Sequence, residues 1–182
     1  MIKYLLIFII FFFNTNLNAN NKENIINNLK NTQNFNFDFE QNINKKIEKG
    51  NCIIEYPKKI YCEYSGGNDK ILVSNGKSLV IKTKVSYYRY PLIKTPLYLI
   101  LDKEFLINKI YKLEERIIDN SIINYTIKEN NYEVNIFFDD RTFNLIGWQT
   151  KDVYQNLNIT FLSSISRNEI FDKNIFKLPI QN

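Results

Sequence analysis

From Phe35 the chain alternates. Phe35, Phe37 and Phe39 take every second position, polar residues fill the gaps, and Gln41 and Ile43 continue the phase. A period of two predicts a strand. "NCIIEYP" and "KIYCEYS" read as the next pair, turning at Pro57. "KILVSNGKSLVIKT" predicts a hairpin whose Asn75-Gly76 forms a type I′ turn, both central residues taking positive φ. "VSYYRYP" is a further strand, ended by Pro91. Beyond it come the strand-like runs "IYKLEERII", "SIINYTI", "YEVNIFFD", "FNLIGWQTKD" and "NLNITFLSSIS". Polar turns at Asn130-Asn131, Asp139-Asp140-Arg141 and Gln155-Asn156 separate them. "NEIFDKNIFKLP" closes the chain as a short helical turn and an extended tail.

Two segments break the strand pattern. In Lys22 to Asn34, Ile25, Ile26 and Leu29 have helical spacing, but the segment is short and Asn-rich, so it must lay its stripe on something. In "YRYPLIKTPLYLILD", Thr95 suits an N-cap and Pro96 the first helical position. The run from Leu97 then predicts a helix of about two turns, apolar on most sides, that cannot face water. Ten or eleven strands with two small helices predict a mainly β fold, a barrel or a strongly curled antiparallel sheet, with the helices across the mouth of the curl.

The start of the chain is of another kind. Lys3 precedes the apolar run Tyr4 to Phe13, and "NLNA" leads to Ala19. This is the layout of a signal peptide over residues 1–19, with a single domain over 20–182 and export from the cytoplasm. The apolar run is about half of what a bilayer-spanning helix needs. Asn20 stands where a lipid-anchored protein would have Cys. Loss of Lys3 lowers the formal charge from +5 to +4. The lysines are scattered between apolar positions, which argues against nucleic acid as a partner.

The chain has no His, which excludes Ser-His-Asp and Cys-His catalysis and His-ligated zinc. Two Cys cannot build a Cys-only zinc site, so no enzyme, metal or cofactor is expected. Asp139 and Asp140 are adjacent and read as a turn rather than a carboxylate pair. Cys52 and Cys62 fall roughly opposite each other if Pro57 marks the turn; they form either a disulfide or two small buried apolar residues.

Several stretches, in order, match one family. They are "FDFEQNI", with Phe39 and Gln41; Gly50, then Pro57 followed by "IYCEY"; "ILVSNGKSLVI"; "YRYPLIKTPLYLILD"; "FDDRTFNLIGWQTKD"; and "FDKNIFKLP". Across nearly all of the mature chain the sequence resembles the periplasmic outer-membrane lipoprotein carrier (LolA) family, in particular its alphaproteobacterial branch. The resemblance implies an unclosed antiparallel β-barrel with a helical lid over an apolar cavity. It implies a chaperone that accepts acylated lipoproteins released from the inner membrane by an ABC transporter, shields their acyl chains and delivers them to the outer membrane or an acceptor there. A monomer without cofactor is expected. An outer-membrane acceptor of similar fold and a lipid-sensing envelope regulator are the alternatives. In many family members an Arg precedes the hairpin Pro and bonds to the lid; Tyr56 stands there here, so any latch must be built differently.

Strand parity with this resemblance gives candidate residues. Cys52, Ile54 and Tyr56 share one face, Ile60, Cys62 and Tyr64 the returning one, and Phe37 and Phe39 precede them; all are expected to line the acyl-chain cavity. Tyr88 and Tyr90 line the mouth or serve the sheet, and Trp148 is a packed anchor or a ligand contact. Leu97, Leu99 and Ile100 are lid candidates, as are Ile26 and Leu29 on the first helix.

Overall fold

The computed structural model describes residues 21–151 and 155–181. The expected leader over residues 1–19 lies outside the described residues. Helix α1 (Asn21–Asn31) leads into β1 (Asn34–Ile43), β2 (Lys46–Glu55), β3 (Lys59–Ser65), β4 (Ile71–Asn75), β5 (Ser78–Lys82) and β6 (Tyr87–Pro91). A 3-10 turn (Leu92–Lys94) precedes α2 (Leu97–Leu101) and α3 (Lys103–Lys112). Then come β7 (Arg116–Ile118), β8 (Ile122–Glu129), β9 (Tyr132–Asp139), β10 (Leu145–Lys151) and β11 (Leu157–Arg167), and a 3-10 turn at Lys173–Phe176.

All 11 strands form one antiparallel sheet in the order β6-β5-β4-β3-β2-β1-β11-β10-β9-β8-β7. It is unclosed, as expected: β6 and β7 are its free edges. The two halves of the chain are joined through the β1–β11 ladder, with Phe39 opposite Leu162 and Ile43 opposite Asn158. An extra residue on β11 between Asn36 and Asp38 of β1, and another on β10 between Leu145 and Gly147, interrupt the ladders. Such bulges bend the strand that carries them and increase its twist.

Two glycines sit where neighbouring backbones crowd together. A Cβ on Gly50 would lie 2.0 Å from the Glu63 carbonyl oxygen and 2.8 Å from the Phe39 ring. One on Gly147 would lie 2.5 Å from the Thr160 carbonyl oxygen. Side chains at these points would force the sheet flatter. The space is used by aromatic rings: Phe39 and Tyr64 meet edge to face over Gly50 with centroids 4.9 Å apart, and Phe137 stacks on Phe161 beside Gly147 at 6.1 Å.

The helices cover part of the concave side. α1 and α3 run antiparallel, and each ends on a lysine from the other's start. Lys103 Nζ donates to the Thr32 carbonyl at 3.0 Å, and Lys22 Nζ to that of Leu113 at 2.8 Å. Unpaired carbonyls at helix ends are thus satisfied by cations that also suit the helix dipole. Ile25, Ile26, Leu106 and Ile110 are buried beneath. On the convex side the C-terminal segment crosses the sheet: Asn168 Nδ2 donates to the Asn31 carbonyl, Lys173 pairs with Glu55 at 3.2 Å, and Lys82 Nζ donates to the Ile180 carbonyl. Phe176, Val73 and Val80 are buried on that side.

Three local readings are corrected. The described residues form three α-helices where two were expected: Leu106, Ile107 and Ile110 share a helical face on α3, so only Arg116–Ile118 of "IYKLEERII" is strand. Asp102 interrupts the apolar helix with extended backbone and caps α3, its carboxylate accepting from the Phe105 N–H at 3.2 Å. Thr95 does not cap α2; its hydroxyl donates back to the Leu92 carbonyl at 2.8 Å, and Pro96 takes the cap position. In the β4–β5 hairpin only Gly76 has positive φ, at 93°, while Asn75 precedes it and accepts from the Lys77 and Ser78 N–H groups. Glycine at the first central position is the type II′ requirement, not the type I′ one.

Gly50→Ala should lower the unfolding free energy by about 2 kcal/mol, the usual cost of forcing atoms into a filled space. Gly67→Ala, where nothing lies within 4 Å of the new Cβ, should stay within about 0.5 kcal/mol. Urea unfolding of the two variants checks the contrast.

Candidate functional site

Alternation points one face of each strand inward, and the bent sheet turns these faces toward one another. The helices fill one end of the concavity. The other end is a cavity of about 540 Å³, within the range of roughly 300–1,000 Å³ common for small-molecule pockets. Cys52, Ile60, Cys62, Leu72, Leu79 and Ile81 give it an apolar floor from β2 to β5. Phe39 and Trp148 form an aromatic wall, and Pro96 and Leu97 a roof. Trp148 is held edge-on by Phe37, with centroids 6.3 Å apart. In the floor, Cys52 and Cys62 are register partners joined by a disulfide, with Cα atoms 4.1 Å apart.

The wall from the β1 end to β10 and β11 is polar. Gln41, Thr150, Asn158 and Thr160 face the cavity there. Gln41 Nε2 donates to Asn158 Oδ1 at 2.9 Å and to Thr160 Oγ1 at 3.4 Å, and the Tyr64 hydroxyl donates to Gln41 Oε1 at 3.4 Å. Lys70, Lys94, Lys151, Asn131 and Glu133 also line the cavity. Lys70 lies over the Tyr64 ring at 3.9 Å and pairs with Glu48. Burial alone would raise the Glu48 carboxyl, but Lys46 and Lys70 outweigh it and hold the group below its ordinary value.

The apolar cover is tied down at several points. At the β2–β3 turn the Lys58 N–H donates to the Leu101 carbonyl at 2.8 Å, and Lys58 Nζ pairs with Asp102 at 3.0 Å. The hydrogen bond that Lys58 donates to Asp102, strengthened by the carboxylate's charge against the cost of partial burial, raises the Lys58 ammonium above its ordinary value. Near the roof, the Tyr132 hydroxyl donates to the Lys94 carbonyl at 2.7 Å. Further along, Lys109 pairs with Glu129. Tyr56, at the position of the family's Arg, makes no such bond: its hydroxyl is buried with no partner among the described residues, and burial pushes the phenol up. Its ring instead lies beneath the Lys103 ammonium, 5.6 Å from the centroid.

The candidate residues fall into three places. Phe39, Cys52, Ile60, Cys62, Tyr64, Tyr90, Trp148 and Leu97 line the cavity. Phe37, Ile54, Leu99, Ile100 and Ile26 are nearly inaccessible members of the core beside it. Tyr56 and Leu29 line a separate gap of only about 20 Å³ under α1. Tyr88 is 53% exposed on the edge strand. Parity gives the face of the sheet but not which part of that face the helices fill. The polar wall was not among the candidates, although Thr150 follows Trp148 by two and Trp148's register partner is Thr160; Gln41 joins the wall only when β1 and β11 are paired.

Among the described residues no helix is long and apolar enough to cross a membrane, and no cluster of His, Cys, Asp and Glu could hold a metal. The family model described as "Outer membrane lipoprotein carrier protein LolA" matches residues 30–179. No curated protein matches the sequence. A LolA superfamily protein from Nitrosomonas europaea is similar at 8% identity and TM-score 0.45, covering 86% of this chain and 97% of that one. The Mycobacterium tuberculosis lipoprotein LppX is similar at 10% identity and TM-score 0.46, covering 84% and 96%. A putative outer membrane lipoprotein-sorting protein domain from Vibrio parahaemolyticus has 9% identity and TM-score 0.39, covering 84% and 94%.

Asp102→Asn should loosen the cover while keeping the α3 cap, since Asn caps as well as Asp; Asp102→Ala should cost about 1 kcal/mol more. Hydrogen exchange across Leu97–Lys112 separates the two effects. Glu48 has a depressed folded-state pKa, so its stabilising contribution is present above the unfolded value near 4.5 and lost as pH falls through the folded value. Glu48→Gln should therefore flatten the decline in stability on acidification below about pH 4.5, measured by urea unfolding across pH.

Proposed function

The chain belongs to the outer-membrane lipoprotein carrier protein (LolA) family, and on that premise we propose that it is a periplasmic carrier of lipoproteins. It accepts them from an inner-membrane ABC transporter, shields their acyl chains and delivers them to the outer membrane or an acceptor there. It acts as a monomer after loss of residues 1–19, and no covalent step is involved. The observation that carries the reading is the cavity itself: apolar floor, aromatic wall and a roof at Pro96 and Leu97, the partly exposed edge of a helix whose Leu99, Ile100 and Leu101 are packed in the core.

The energetics suit transfer. Each exposed methylene costs about 0.8 kcal/mol, so an acyl chain crosses an aqueous space only inside a container. At about 30 Å³ per water-sized group, 540 Å³ holds roughly eighteen such groups, about one long chain. A cargo with several chains requires the roof to move. The ties at Lys58–Asp102 and Tyr132–Lys94 are individually weak, on the order of 1 kcal/mol each, whereas Leu99, Ile100 and Leu101 are core-buried, so the roof gives way at Pro96 and Leu97 before the rest of the helix.

Purified protein lacking residues 1–19, added to inner-membrane spheroplasts, should release lipoproteins in a soluble complex. Leu97→Glu places a charge in the roof and should cut that release at least tenfold while the protein stays folded by circular dichroism. Retained release would make α2 scaffold only. Normal arrival of lipoproteins at the outer membrane after depletion of the protein would refute the carrier reading.

A further inference from the structure

The polar wall is out of place in a container for hydrocarbon. Polar groups cost free energy to bury unless they are hydrogen-bonded. Yet Thr150 and Thr160 are only 6% and 3% exposed, and both face the cavity. They belong to one three-strand patch. Gln41, Thr160 and Trp148 are register partners in one row, and Ile43, Asn158 and Thr150 in the next. Within it, Gln41 Nε2 donates to Asn158 Oδ1 and Thr160 Oγ1. That leaves the Thr160 hydroxyl proton and the Asn158 amide N–H groups to be given elsewhere. The Thr150 hydroxyl has no side-chain hydrogen bond among the described residues.

Each of the unengaged groups can donate, and all are gathered where the apolar floor meets the mouth. Such a set fits a neutral or anionic oxygen acceptor attached to a long chain. We propose that Thr150, Thr160 and Asn158 receive the carbonyl oxygen at the root of a fatty acyl group, the ester or amide linkage, while the chain lies over the Cys52–Cys62 floor toward Leu79. The proposal rests on the carrier reading and sharpens it: the protein recognises the acyl linkage, not merely grease. The wall also fixes polarity, with the linkage toward the mouth and the chain end inward.

The test is competition against a fluorescent acyl probe bound in the cavity. Methyl palmitate, palmitate and hexadecyl methyl ether share chain length and differ in the head. Wild-type protein should bind the ester about tenfold more tightly than the ether, the worth of roughly one hydrogen bond. Thr150→Val with Thr160→Val keeps shape and removes both hydroxyls. It should bring the ester down to the ether and leave the ether unchanged, which also shows that the cavity is intact. Equal binding of ester and ether to the wild type overturns the proposal, as does discrimination that survives in the double variant. A palmitate advantage over the ester that disappears in salt would assign recognition to Lys94 and Lys151 and overturn it as well. Displacement by none of the three compounds would refute the lipid reading beneath it.

Discussion

The concavity depends on one ladder, the antiparallel pairing of β1 with β11. It is the junction in the sheet between the first six strands and the last five. Pairing brings residues 35–43 against residues 158–167, more than a hundred positions apart, so its loop-closure entropy is large and must be recovered from packing. The ladder sets the order of all the other strands and lays Gln41 beside Thr160. Floor and polar wall, from opposite halves of the chain, thereby share one cavity.

Curvature follows from what is missing at two positions. Where Gly50 and Gly147 leave out a side chain, adjacent backbones close in and aromatic rings from the flanking strands take the space. The tightly bent sheet then has more inner surface than its own side chains can fill. Three helices cover part of it. Their hold is uneven: α1 and α3 lock each other through reciprocal lysines, whereas the roof at Pro96 and Leu97 is held by a hydroxyl, a carbonyl and a lysine–carboxylate pair. Behind that roof Leu99, Ile100 and Leu101 are buried in the core, so mobility is expected at Pro96 and Leu97 rather than along the whole helix.

Much of the fold was legible because alternation is a local signal. The strands from Phe35 to Lys82 and from Ile122 to Arg167 have the expected phase, and the resemblance to the carrier family agrees with the observed unclosed sheet. What was not legible depends on longer-range facts. The α3 face formed by Leu106, Ile107 and Ile110 was lost in a stretch whose neighbours read as strand. The β4–β5 turn was displaced by one residue because Asn75 serves it with its side chain rather than its backbone. In the candidate site, parity put Cys52 and Ile54 on the same face, but only Cys52 lies where the helices leave space. Thr150 and Thr160 carry no motif; their meaning comes from standing polar and buried beside Trp148.

The disulfide across the floor divides the container mechanically. Cys52 and Cys62 cross-link β2 to β3 beneath the cavity, so those strands cannot separate to admit a bulkier guest. Leu99, Ile100 and Leu101 anchor the short helix in the core, which leaves its first turn at Pro96 and Leu97 as the less firmly held side of the cavity. The base of the cavity is thus riveted while its rim at Pro96 and Leu97 is not, and under the proposed carrier role the rim is where a larger guest would have to be accommodated.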